Sequence, residues 1–397
     1  MLEPSGHGIT HGNNEKSSGI LPSRADIGFS LFLGMLVFVS RYFTRGALYF
    51  VDGPRIVRAI QDHTYVIQPP GYWLYAHLGA LISNPTLGLS LWNEMFSAAG
   101  IAVFFLLCRK LGLPLRISLL AALAYGSIFF LWFAGDIQSS YASQILFAPL
   151  TVYCFLIYRE RPATGCLLMC GTSFAVGSGL RPSDGAFLGF LFLFLLFRFV
   201  EPWKQRFLLL VFTGALCLAW YIPTQLALHA SHGIDLSNQL GSLAFQVSPL
   251  LVGINVRSIA NILRVVLPLF VAFWMLIPLI LQRRSRDTNW ICGLWILPGL
   301  CFFLLIYMAD ATYLTFLAGG IVLLAATCEK ERLVAPLLFC CFLFNVLLFF
   351  GARPLMHRSK GTIAMNYYVV KYCDYGIRHR WTSTAGHHSN ASAISPM

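Results

Sequence analysis

Val334-Ala-Pro-Leu-Leu-Phe-Cys-Cys-Phe-Leu-Phe-Asn-Val-Leu-Leu-Phe-Phe350 contains no charged side chain. About 20 apolar residues carry a helix across ~30 Å of hydrocarbon. The run is continuous, whereas a membrane β-strand alternates apolar and polar residues, so it reads as a helix. Comparable runs recur upstream, at about 27–43, 85–107, 117–134, 143–158, 164–179, 186–199, 207–223, 259–281, 290–308 and 313–327. With 334–350 they make about eleven membrane spans. The expected fold class is therefore all-α, a polytopic integral membrane protein. The short run at 186 could be half of a hairpin with its neighbour.

Composition agrees. Of 397 residues, 57% are hydrophobic and 11% are charged, against about 25% charged in a soluble domain. Mean hydropathy is +0.69. A water-soluble globule would leave much of that surface exposed, and a disordered chain is excluded. The net charge of +12 raises the question of nucleic acid. Most of the cations sit in short loops between apolar runs, where they set topology, so no nucleic-acid partner is expected. The eleven cysteines are an odd number and lie mostly inside apolar runs, which does not describe a disulfide framework. No CxxC or HExxH spacing occurs.

The basic clusters Arg109/Lys110/Arg116, Arg159/Arg161, Arg198/Lys204/Arg206, Arg283/Arg284/Arg286 and Lys330/Arg332 occupy every second loop. The positive-inside rule puts them in the cytoplasm. Residues 1–26 then form a cytoplasmic tail without a cleavable signal peptide, and 27–350 the transmembrane domain. The long loops at about 44–83 and 224–256 face outward. An odd number of spans places the tail 351–397 outside too, although its own basic residues oppose that.

Glu160, Glu201, Asp287, Glu329 and Glu331 fall in cytoplasmic loops and read as solvated charges. Asp52, Asp62, Glu94, Asp136, Asp184 and Asp310 gather instead at the outer ends of spans. An acid at a membrane boundary is costly without a partner or a role, so these suggest one polar site at the outer leaflet. Three segments carry it. In Tyr49-Phe-Val-Asp52-Gly-Pro-Arg55-Ile-Val-Arg58, two arginines follow Asp52. Downstream, Gln68-Pro69-Pro70-Gly-Tyr72-Trp73-Leu-Tyr75 breaks the chain and suits an interfacial helix. An aromatic belt with snorkelling arginines fits both equally well. Asp136, in Phe133-Ala-Gly-Asp136-Ile-Gln138, is either an ordinary N-cap of the next helix or a site residue. In Gly179-Leu-Arg181-Pro-Ser-Asp184, Arg181 could hold a phosphate or pair internally with Asp184. His229 and His232 read as plain loop residues.

Taken together, the order of Asp52, Gln68-Pro69-Pro70-Gly71-Tyr72, Asp136 and Gly179-Leu180-Arg181-Pro182 resembles the GT-C membrane glycosyltransferases. The nearest group is the bacterial aminoarabinose transferases with the protein O-mannosyltransferases. The resemblance covers about 27–199. Two positions depart from the family pattern: Asp52-Gly53 stands where many members have Asp-Glu, and Gln68-Pro69-Pro70 where His-Pro-Pro is common. The resemblance implies a GT-C-like fold with an outer-face interfacial helix after the first span. It implies an inverting transfer of a sugar from a polyprenyl-phosphate donor to a hydroxyl acceptor on a glycan, lipid or protein. In that scheme Asp52 is the general base. Arg181, with Arg55 or Arg58, holds the donor phosphate. Asp136, Tyr72 and Gln68 bind acceptor or sugar. A divalent metal between Asp52 and Asp136 would have a sparse ligand set, so no obligatory cofactor is expected. The expected location is a bacterial inner membrane with the site facing outward, or the endoplasmic reticulum of a eukaryotic cell. The competing readings are a lipid-linked saccharide flippase or polymerase and a multi-span transporter. The latter expects acids at mid-span.

Overall fold

The computed structural model describes residues 22–45, 52–66, 71–232, 248–282, 285–307 and 311–352, and no strand occurs among them. The chain is an all-α polytopic membrane protein. Its first helix, α1 (Arg24–Thr44), starts in a capping box. The Ser23 hydroxyl accepts from the Asp26 backbone N–H at 3.0 Å, and the Asp26 carboxylate accepts from the Ser23 N–H at 3.3 Å. That reciprocal pairing satisfies two backbone donors at the exposed helix start.

Residues 44–83, expected as an outer loop, hold two short helices, α2 (Asp52–Gln61) and α3 (Trp73–Ala80). Helix α2 is amphipathic. Ile56, Val57 and Ile60 are buried, while Arg55, Arg58 and Gln61 are exposed. It has the form of an interfacial helix, with one face in the core and a charged face outside. Gly71 and Tyr72 both adopt positive φ (107° and 56°) ahead of α3. A Cβ on Gly71 would stand 2.3 Å from Thr224 Cγ2, so both the conformation and the close approach require glycine there.

The centre of the bundle is α4 (Pro85–Lys110) against α1 and α7 (Ser143–Glu160). Next come α8 (Thr164–Leu180), α9 (Pro182–Phe199) and α10 (Trp203–His232). Helix α10 carries helical structure through residues 224–232, which the sequence reading had placed in the second outer loop. The last third contributes α11 (Val256–Phe273), α12 (Arg286–Leu305), α13 (Thr315–Ala326) and α14 (Glu331–Ala352). Helix α7 is mostly buried inside the bundle, whereas α10 presents most of its surface outward.

Among the described residues, eight helices are long and apolar enough to cross a membrane. Two shorter apolar segments, Thr164–Leu180 and Ala311–Ala326, accompany them. The span expected at 117–134 is broken into α5 (Leu115–Ser127) and α6 (Phe129–Asp136), bent by 62°. A break at membrane depth frees backbone groups that must find partners within the protein. Two distant side chains supply them. Arg41 on α1 donates to the Gly126 carbonyl at 2.8 Å, and Asn345 on α14 accepts from the Phe129 N–H at 3.3 Å. Asn345 is fully buried and donates in turn to the carbonyls of Ala272 and Cys341, at 3.0 and 2.9 Å.

The basic loops share one end of the bundle. There Arg109 joins Asp26 at 2.7 Å, Lys110 pairs with Glu160, and Arg198 pairs with Asp287 at 3.2 Å. The opposite end carries the candidate site.

Candidate active site

Residues 136–141 link α6 to α7 and are buried throughout. A buried non-helical stretch must have its carbonyls satisfied. Asn93 on α4 does this, its Nδ2 donating to the carbonyls of Ile137 and of Ser139, the latter at 2.9 Å. Its Oδ1 accepts from the Tyr75 hydroxyl at 3.0 Å. Gln138 Nε2 donates to Ser90 Oγ at 2.7 Å. Helices α3 and α4 thus hold a polar thread inside an apolar bundle.

Arg181 lies against that thread. It forms the break between α8 and α9, where Pro182 takes the first helical position of α9. The residue is 1% exposed. Its Nε donates to Asp184 at 2.9 Å and its Nη1 to Ser140 Oγ at 3.2 Å, while Nη2 has no hydrogen-bond acceptor. The guanidinium carbon sits 3.7 Å from the ring centre of Tyr141, 5.1 Å from Tyr313 and 6.0 Å from Tyr72. Such π faces attract a cation more strongly when it is desolvated. Burial works against the charge, but Asp184 and the tyrosines outweigh it, and the pKa stands well above the ordinary arginine value. Asp184, in the first turn of α9, also faces the positive end of that helix. The internal Arg181–Asp184 pair is therefore present, and it leaves one N–H pair of the guanidinium over.

Asp136 is the last residue of α6, not the N-cap of the following helix, because three more residues and a 3-10 turn intervene before α7. It is 2% exposed and interacts electrostatically with Arg41. Arg41 is 1% exposed, stacked at 4.3 Å on Trp132, and its Nε and Nη1 have no hydrogen-bond partner. A Cβ on Gly135 would lie 2.5 Å from Ser97 Oγ and 3.1 Å from Arg41 Nε. Glycine thus leaves the room that these two polar side chains occupy. Nearby, Arg45 grips the fully buried Glu94 with two hydrogen bonds, the longer 2.8 Å. That hydrogen bonding raises the Arg45 pKa.

The sequence-predicted residues divide as follows. Arg181 and Tyr72 meet, although nearly 110 positions separate them. Asp136 belongs to the same buried thread as Ser140 and Tyr141, which touch Arg181. Arg55 and Arg58 are on the exposed face of α2. Asp52 is the first residue of α2; its side chain and all of Gln68 lie outside the described residues, as do Asp310 and the tail 353–397. His229 is exposed on α10. Among the described residues, no three of His, Cys, Asp and Glu gather as metal ligands.

Sequence reasoning missed Arg41, Asn93, Ser140 and Tyr313. Only Arg41 carried a signal, a cation inside an apolar run. The others are common residue types whose role comes from the fold.

No family profile and no curated protein sequence matches the chain. Among solved structures, the chain shares its fold with ArnT from Cupriavidus metallidurans, a crystal structure bound to undecaprenyl phosphate. The TM-score is 0.57 at 14% identity, and the match covers 92% of this chain and 73% of that one. At that identity the likeness is one of fold, and it agrees with the GT-C-like fold expected from the sequence.

Proposed function

We propose that the protein is an inverting membrane glycosyltransferase that takes a sugar from a polyprenyl-phosphate donor. The observation that carries this reading is Arg181. A desolvated guanidinium, held by Asp184, Ser140 and three tyrosines, keeps its Nη2 group unmatched. A planar cation with donors to spare suits a phosphate oxygen. The structure that shares the fold holds undecaprenyl phosphate, which supports the same donor class.

In this reading Asp52 removes the proton from an acceptor hydroxyl. The oxygen then bonds to the anomeric carbon from the face opposite the phosphate. The bond from that carbon to the phosphate oxygen breaks with its electron pair, and polyprenyl phosphate leaves. Arg181 stabilises the charge that grows on the phosphate, and Tyr72 and Asp136 help place sugar or acceptor. Arg55 and Arg58, exposed on α2, suit the approach of an anionic lipid rather than the bond-breaking step. The basic loops at the opposite end support a site on the extracytoplasmic face, of a bacterial inner membrane or, in a eukaryotic cell, of the endoplasmic reticulum.

The test uses purified protein in lipid with a panel of polyprenyl-phosphate sugars and a glycolipid extract as acceptor. Polyprenyl phosphate released and sugar transferred are read together, with Asp52→Asn alongside. Transfer from one donor, lost in the variant, is the expected result. Wild-type turnover by Asp52→Asn removes the base assignment. Failure of every donor to bind moves the flippase and multi-span transporter readings ahead.

A further inference from the structure

A second polar feature lies at the basic end, away from the candidate active site. The ends of α4 and α7 and the first turn of α12 border a half-open cavity of about 440 Å3, within the size range of ligand sites. Lys110, Arg159, Arg286 and the carboxylate Asp287 line it together with the apolar Leu111, Leu156 and Ile291. The nearby acids are already engaged, Glu160 with Lys110 and Asp287 with Arg198. Arg159 and Arg286 pair with no carboxylate among the described residues, so two positive charges are left over. Arg159 is braced at 5.1 Å against the Phe199 ring. Ser285 caps α12 by accepting from the Thr288 N–H at 3.3 Å. The N–H groups of Arg286 and Asp287 precede the first helical acceptor and add to the positive field.

We propose that this cavity binds the headgroup of an anionic phospholipid, with Arg159 and Arg286 holding its phosphate. The lining selects the ligand class. Surplus cations call for an anion, and the apolar residues beneath call for a molecule with a hydrocarbon end. The position, at the ends of membrane-crossing helices, is the headgroup level of a bilayer, where basic pockets between helices take anionic lipids. A cluster that only set topology would not require a cavity with this mixed lining.

The test is native mass spectrometry of the full-length protein after exchange into mixed vesicles of phosphatidylglycerol and phosphatidylcholine. The wild type retains phosphatidylglycerol in preference, and Arg159→Gln/Arg286→Gln lowers that retention about 30-fold. Both arginines are exposed, so the variant should fold, which thermal unfolding checks. If it does not fold, each single substitution should still cost about fivefold. Lys330→Gln/Arg332→Gln, at the same end but outside the cavity, should leave retention unchanged. Equal retention of both lipids by the wild type overturns the proposal. So does an equal loss in the Lys330/Arg332 variant, which would mean general surface charge. Displacement of the lipid by inorganic phosphate alone would mean a free-anion site and overturns it too.

Discussion

Helix α9 has an arginine–aspartate pair at each end. Arg181 and Asp184 meet at its start, 2.9 Å apart with both side chains 2% exposed. Arg198 and Asp287 meet at its finish, 3.2 Å apart and 52% and 40% exposed. The residue types and distances are nearly the same, but the surroundings differ. In water the ions are already well solvated, so pairing adds little. Inside the protein each ion has lost its hydration, and removing one strands the other. The buried pair, moreover, has an unmatched N–H group and a shell of tyrosines, the features on which the proposed donor site rests. The exposed pair ties α9 to α12.

The largest expected effect tests the polar end as a catalytic site. Asp52→Asn should lower sugar transfer by ~10²–10⁴-fold with thermal unfolding unchanged, since the side chains are nearly isosteric. Next, Arg181→Ala should cut transfer by ~10²–10³-fold and destabilise the fold by about 3–5 kcal/mol as Asp184 is stranded. A double variant, Arg181→Leu/Asp184→Leu, separates the two effects. It should recover most of the stability, measured by thermal unfolding in lipid, without recovering donor binding. Recovery of both would reduce Arg181 to a structural residue.

Arg45→Ala should cost about 1.5–3 kcal/mol, the range for hydrogen bonds to a charged group. Glu94 is fully buried while Arg45 is partly exposed, which places the pair between the two on α9. The smallest effect should come from Arg198→Ala, under about 1 kcal/mol and with transfer unchanged. A loss there comparable to Arg181→Ala would end the contrast between the two ends.

The apolar runs were legible because each is a local property. Lipid leaves a backbone no partner outside its own segment, so a long apolar run becomes a helix whatever surrounds it. The outer-end acids were legible for a related reason, since a charge there needs an explanation. The break at Ile128 was not. The run 117–134 is apolar on both sides of it, and the groups that satisfy the break, Arg41 and Asn345, are remote in sequence. The sequence left Asp136 open between an N-cap and a site residue, and the structure, which ends α6 at Asp136, excludes the N-cap.

Hydropathy and loop charge in the sequence alone determined the helical membrane class, the approximate position of each apolar segment and the separation of basic loops from acidic span ends. The tertiary structure alone decided which charges are buried. Arg45 meets Glu94 across 49 positions, and Arg41 meets Gly126 across 85. Arg181 reaches its tyrosine shell through three separate segments. Insertion of a segment into lipid depends on its own transfer energy, which neighbouring residues set. The state of a charge depends on every group that surrounds it, and those groups come together only in the packed bundle.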